Sequence, residues 1–224
     1  MRGGRAKLPV LAELSGPSPG EARVWSLRRA DFEAMEALLA SLAEHRVVVL
    51  TGGRRLVGAV ALAAAASACG RRTALLECDL SRPRLAAELG LEAGPGLHEY
   101  LRWEATPARI LQPLALAGPA ASRASAPLVC VSAGAPAADP ATMLSSESFR
   151  HATEKLRGAY DLVVLAGPPH DSDRWALDAA AAAADALLAC VSPAQSGREG
   201  RELRTALRRL PVATLGALVV GGEA

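Results

Sequence analysis

Lysine is almost missing from this chain. Lys7 and Lys155 are its two occurrences, so nearly all of the 25 basic side chains are arginine. No site between those two positions can therefore be built on a lysine ammonium. Cysteine is sparse as well. Cys69, Cys78, Cys130 and Cys190 lie far apart in apolar runs, without a C-x-x-C pair or a nearby histidine, which excludes a sequence-encoded zinc site. They read as buried small hydrophobes in a reducing compartment.

Long apolar runs are lacking too. Residues 57–69 are too few to span a bilayer, and residues 175–190 carry Asp178 and Asp185, so both read as buried helices. The basic start at 1–7 meets only a short apolar stretch, which is no secretory h-region, and a cytoplasmic location is expected. Neither sign of charge dominates. The net charge is +2 and the charges are spread along the chain, so nucleic-acid binding is not the default. What remains is a chain of 224 residues, half of them apolar, suited to one domain with a short appendage.

The breaker cluster Ser15-Gly16-Pro17-Ser18-Pro19-Gly20 sets off residues 1–20 as an extended arm, leaving 21–224 as the domain. Phe32, Met35, Leu38, Leu39 and Leu42 recur at helical spacing and predict a helix over 29–44. Val47-Val48-Val49-Leu50 reads as a strand buried on both faces and runs into Thr51-Gly52-Gly53, after which an Ala-rich helix extends to Gly70. A strand over 73–79 follows, and a parallel pair with a right-handed crossover is implied. Residues 91–123 mix helical pieces with loops. Strands are expected at 128–132, 161–165, 187–191 and 215–220, and helices at 141–156, 175–186 and 197–210. This alternation predicts an α/β fold: a doubly wound, mostly parallel sheet flanked by helices.

In such sheets ligands bind beyond the carboxyl ends of the strands. A strand, a Gly-rich turn and a helix are the setting of a phosphate loop, G-x-x-x-x-G-K-[ST], whose backbone N–H groups and lysine hold phosphates while its hydroxyl ligates magnesium. Gly52, Gly53, Arg54, Arg55 and Gly58 occupy that place and read either as a residual anion site or as a plain turn with solvated arginines. Glu77 and Asp79 read either as a residual acidic crevice or as loop and capping residues. Asp171 and Asp173 beside His170 fit the acidic first turn of a helix better than an acid/base pair. His45, His98 and His151 are scattered and read as surface or capping residues. Trp25, Trp103 and Trp175 read as packing anchors.

Four segments carry a family resemblance. They are Glu77-Cys78-Asp79-Leu80-Ser81-Arg82-Pro83-Arg84-Leu85, Gly94-Pro95-Gly96-Leu97-His98-Glu99-Tyr100-Leu101, Ser132-Ala133-Gly134 with Asp139-Pro140 and Leu144-Ser145-Ser146, and Tyr160-Asp161 with Gly167-Pro168-Pro169. Together they resemble the bacterial tyrosine kinases of capsular and exopolysaccharide synthesis, in the MinD/ParA-type P-loop group. The resemblance runs from about Leu8 to Val220 and implies a P-loop NTPase-like fold. It also implies a partner, either a membrane-embedded chain-length adaptor or a kinase paralogue, and recruitment to the inner face of the plasma membrane by that partner, without insertion.

The resemblance also locates the departures. It places the family's phosphate-loop lysine at Arg55 and its Ser/Thr pair at Leu56 and Val57, in a loop several residues shorter. The Asp-Thr-Pro-Pro that ends the family's Walker B strand is Ala166-Gly167-Pro168-Pro169 here. The assembly motif E-x-x-R-x-x-R falls on Glu33, Glu36 and Leu39. Tyr100 and Tyr160 are the only tyrosines, so a C-terminal tyrosine cluster is not expected. With lysine, hydroxyl and carboxylate replaced, the expectation is a degenerate, non-catalytic domain without cofactor. The alternatives are an ATP- and magnesium-dependent kinase using Arg55 with Glu77 and Asp79, and a MinD/ParA-like positioning ATPase.

Overall fold

The computed structural model describes residues 8–15, 25–26, 28–117, 126–193 and 198–221. Its elements begin with β1 Val10–Leu14, β2 Trp25–Ser26, α1 Arg29–Ser41, β3 Val47–Gly52, α2 Arg55–Ala68 and β4 Thr73–Glu77. There follow α3 Leu85–Leu89, α4 Leu97–Leu101, α5 Pro107–Ile110, β5 Gln112–Pro113, β6 Leu116–Ala117 and β7 Leu128–Val131. The last are α6 Pro140–Leu144, α7 Glu147–Ala159, β8 Leu162–Ala166, α8 Arg174–Ala182, β9 Ala186–Val191, α9 Arg198–Leu207 and β10 Thr214–Val220.

Eight strands form one sheet in the order β1-β10-β9-β3-β8-β4-β7-β5, and β2 pairs separately with β6. Every pairing in the large sheet is parallel except that of β5 with β7. The central strands are apolar throughout because both faces are covered, as parallel sheets require. β3 shows the division. Val48 and Leu50 face the core shared with α1 and α2, whereas Val47 and Val49 face the core of α4 and α6 to α9. The doubly wound sheet is as the strand and helix alternation predicts.

One local feature adds to expectation and two differ from it. Within the arm, Val10–Leu14 is the edge strand of the main sheet, parallel to β10, because Ala12 and Leu14 add buried apolar surface to it. The helix expected at 141–156 is two helices. Asp139 and Ser146 each accept a backbone N–H, from Thr142 and Phe149, so a second N-terminus starts where Ser145 and Ser146 interrupt the run. Cys78, Cys130 and Cys190 are buried and their thiols are pushed up by burial, the last two to about 12, but Cys69 is exposed at the end of α2.

Asp185 pins the start of the central strands. Its carboxylate accepts the N–H groups of Arg46 and Val47, both at 2.8 Å, and the Arg157 guanidinium at 2.8 Å, while its own N–H donates to the Val47 carbonyl. Burial alone would raise its pKa. The hydrogen bonds from Val47, Arg157 and Arg46 outweigh that and hold it below the usual carboxylate range. A depressed folded-state pKa adds stability above the unfolded value, near 3.9, and loses it as pH falls through the folded one. Asp185→Asn is expected to lower stability at pH 7 by about 1–3 kcal/mol. The difference should shrink below about pH 4, and urea midpoints at neutral and acid pH measure it. An equal loss at both would exclude the charge as its cause.

Candidate functional site

The carboxyl ends of β3, β4 and β8 meet where the sequence places a ligand site. Only Gly53 and Arg54 separate β3 from α2. A G-x-x-x-x-G-K-[ST] loop needs its whole eight-residue span to fold around a phosphate chain, so this turn forms no such wrap. Gly52 makes the tight turn feasible. It has φ +110°, and a Cβ there would sit 2.1 Å from the Cys190 carbonyl oxygen of β9, so only glycine lets the two strands approach this closely. Gly58 lies one turn into α2 with its missing side chain 2.7 Å from Cys190 Sγ and 2.9 Å from Leu218 Cδ2. It is therefore a buried helix-packing glycine, and its N–H donates to the Arg54 carbonyl at 3.2 Å.

The two arginines diverge. Arg54 reaches the other way along the sheet, donating from Nη2 to the Gly221 carbonyl at 2.9 Å. Arg55 folds across the strand ends and makes a hydrogen-bonded ion pair with Asp79, with a second contact to the Gly52 carbonyl at 3.3 Å. The Arg55 side chain is 15% exposed and that of Asp79 is 5% exposed, so Arg55 is not a solvated surface arginine. Burial lowers the Arg55 pKa from its ordinary value against the pull of Asp79, and Arg82 and Arg84 lower it further. An arginine remains protonated across the accessible pH range nonetheless.

Glu77 and Asp79 are held in different environments. Glu77 accepts backbone N–H groups from Arg84 at 2.5 Å, Leu85 at 2.9 Å and Ala133 at 3.0 Å, which uses both carboxylate oxygens. It ties β4 to the start of α3 and to the loop after β7. Burial raises its pKa, with those three bonds opposing. Glu99 does similar work. It accepts the N–H groups of Gly96 at 2.8 Å and Ala135 at 3.0 Å, while Leu97 and His98 donate to the carbonyls of Ser132 and Ala133. A Cβ on Gly134, at φ +82°, would lie 2.0 Å from Glu99 Oε2. Sequence reasoning did not single out Glu99 or Gly134; the signal was the spacing of Glu99 three residues after Gly96.

At the end of β8, Ala166 is buried, and its carbonyl accepts the Cys78 N–H at 2.9 Å. The Gly167 N–H donates to the Leu50 carbonyl at 2.9 Å, and a Cβ there would come within 3.0 Å of that same oxygen. The buried Thr51 hydroxyl donates to the Pro168 carbonyl at 2.8 Å. The strand ends are therefore cross-tied by backbone.

The fold implies ATP with magnesium, and the residues present do not fit that group. The Arg55 guanidinium is committed to Asp79 and that of Arg54 reaches the Gly221 carbonyl, Leu56 and Val57 offer no hydroxyl, and Ala166 offers no carboxylate. Among the described residues no group of three or more His, Cys, Asp or Glu side chains is placed to hold a metal.

The other candidate residues are dispersed. Asp173 caps α8 through the Ala176 N–H at 3.0 Å, so it acts at a helix terminus. His98 Nδ1 lies 2.7 Å from the Ala135 carbonyl, and His151 is exposed. Trp103 and Trp175 are 79% and 71% exposed, so neither anchors a core, and the Trp25 side chain lies outside the described residues. On α1, Glu33 and Glu36 are exposed while Leu39 is in the core.

Two substitutions test this geometry. Gly52→Ala is expected to cost about 3 kcal/mol or more, since both the backbone angle and the Cys190 carbonyl oppose a methyl group; denaturant midpoints measure it. Asp79→Asn should lower stability by about 3–5 kcal/mol by leaving Arg55 buried and unpaired. Added inorganic phosphate should then raise the variant's Tm more than that of the parent. Equal phosphate effects would mean that Asp79 does not occupy Arg55.

The chain matches no protein-family model and no curated protein. In structure it is similar to the chimerical protein CapA2B2, with 15% identity, 97% of this chain and 96% of that chain covered, and a TM-score of 0.77. The kinase domain of Escherichia coli tyrosine kinase ETK superposes with 17% identity, coverage of 97% and 93%, and a TM-score of 0.77. The septum site-determining protein MinD from Pyrococcus horikoshii OT3, complexed with Mg-ADP, is more distant, with 16% identity, coverage of 78% and 69%, and a TM-score of 0.59. At these identities the likeness is one of fold: the chain has the P-loop NTPase-like fold found in bacterial tyrosine kinase domains and MinD-type ATPases.

Proposed function

We propose that this chain is a catalytically degenerate, tyrosine-kinase-like domain that serves as a regulatory or scaffolding module in capsular or exopolysaccharide polymerisation and export. The observation that carries the reading is the Arg55–Asp79 pair closing a two-residue turn. Phosphoryl transfer is almost entirely positioning and charge stabilisation around the transferred group. A buried cation already neutralised by its own carboxylate supplies neither.

The module works at the inner face of the plasma membrane, held there by a membrane-embedded chain-length adaptor or by a kinase paralogue. No helix among the described residues is long and apolar enough to cross a membrane; in this reading the association runs through that partner. Gly52, Gly53, Arg54, Arg55 and Gly58 are at most a residual anion site. A phosphorylated ligand reaching it has to compete with Asp79 for Arg55. The active alternative, a kinase using Arg55 with Glu77 and Asp79, meets two obstacles: Asp79 is paired with that same arginine, and both oxygens of Glu77 are taken by backbone.

Titration of the purified protein with ATP and magnesium, by calorimetry and thermal unfolding, tests the proposal. A competent site filled at 100 times its Kd adds about 2.7 kcal/mol of stability, a shift that a thermal scan resolves. The expected result is no magnesium-dependent heat and no rise in Tm. Saturable, metal-dependent binding with hydrolysis that Arg55→Ala abolishes would establish the active kinase reading instead.

A further inference from the structure

Trp103 stands out on two counts. It is the one non-glycine residue with positive φ, at +64°, among the described residues, and it is 79% exposed. The reason for the angle is local. Trp103 follows the end of α4, where its N–H donates to the Tyr100 carbonyl at 3.0 Å and the Glu104 N–H donates to the Glu99 carbonyl at 2.8 Å. This is the Schellman arrangement, and the position it makes left-handed is one that glycine ordinarily fills. A tryptophan there carries backbone strain and, being exposed, recovers little from burial.

The ring borders a cavity of about 530 Å³ whose other wall is one flank of α7, with Glu147, Ser148, Arg150, His151 and Glu154. The charges on that wall are unequally matched. Arg150 pairs with Glu147 at 3.2 Å in full solvent, a contact worth little and readily exchanged. Glu154 has Arg157 at 3.5 Å, but that guanidinium is hydrogen-bonded at 2.8 Å to Asp185. Glu147, Glu154 and Asp185 thus share two guanidiniums, which leaves the wall one negative charge in excess.

The molecule also holds an internal standard for what such a ring accepts. Trp175, the other exposed tryptophan of known surroundings, carries the Arg174 guanidinium 5.8 Å from its ring centroid. Among the described residues no cation covers Trp103.

The geometry points to the Trp103 cavity as a docking site for a basic side chain, arginine or lysine, of a partner protein. The cation would lie on the indole face with Glu147 and Glu154 on its far side, combining cation–π attraction with charge pairing at a tryptophan of the kind that anchors interfaces. The site is separate from the Arg55 turn and does not depend on whether that turn binds nucleotide.

A blocked tri-arginine peptide is the probe, read by the indole N–H resonance of Trp103 in the full chain, with Trp175→Phe and Trp103→Phe variants to assign it. The expected result is a saturable shift whose apparent Kd rises at least fivefold in Glu147→Gln/Glu154→Gln, with no shift from blocked tri-glutamate. Both glutamates are solvent-exposed, so the double variant is expected to keep the Tm of the parent. No saturable shift, an unchanged Kd in the double variant, or an equal response to tri-glutamate overturns the proposal. A Trp103 shift on dilution of the protein alone overturns the commitment to a foreign partner and identifies a second copy as the occupant.

Discussion

A single buried ion pair governs how the strand ends of this protein can be used. Arg55 starts α2 and Asp79 follows β4, and their contact ties the start of that helix to the end of that strand. Removing either partner leaves the other as an uncompensated interior charge, which is several-fold costlier than losing an exposed pair. The pair therefore holds the turn in its closed form and satisfies the cation that anion binding would require. Function at this end of the sheet has to be compatible with that closure.

The segments that resemble the tyrosine kinases build the scaffold at the strand ends. Glu77, Glu99, Gly134 and Gly167 each join two segments of the strand-end framework through backbone hydrogen bonds or close approach. These contacts are backbone-directed and mostly join residues far apart in sequence, so they fix how the strand ends meet. The positions that depart from the resemblance are Arg55, Leu56, Val57 and Ala166, of which Ala166 lies in the core and Leu56 and Val57 pack against it. Trp103 and Trp175 place aromatic surface in solvent.

Legibility in the sequence followed the range of the interaction concerned. Val47 to Leu50 and Leu162 to Leu165 are continuous apolar runs, and a strand buried on both faces leaves that signature in the chain itself. The break between α6 and α7 was hidden because Asp139 and Ser146 are ordinary polar residues until their side chains accept N–H groups. Cys69, Trp103 and Trp175 are exposed for a related reason. An apolar residue type gives a tendency to be buried, and exposure is decided by which side of an element meets a neighbour.

The chain alone determined the alternation of strand and helix and the doubly wound class, because these reside in residue type and periodicity, while the positions at which lysine, hydroxyl and carboxylate are replaced are what its resemblance to the tyrosine kinases implies. Only the tertiary structure decided that Arg55 turns inward to Asp79 while Arg54 turns away, that Glu77 is spent on backbone, and that Trp103 stands clear of the core. Those outcomes depend on side chains distant in sequence meeting at a few ångströms, and no local pattern encodes a meeting of that kind.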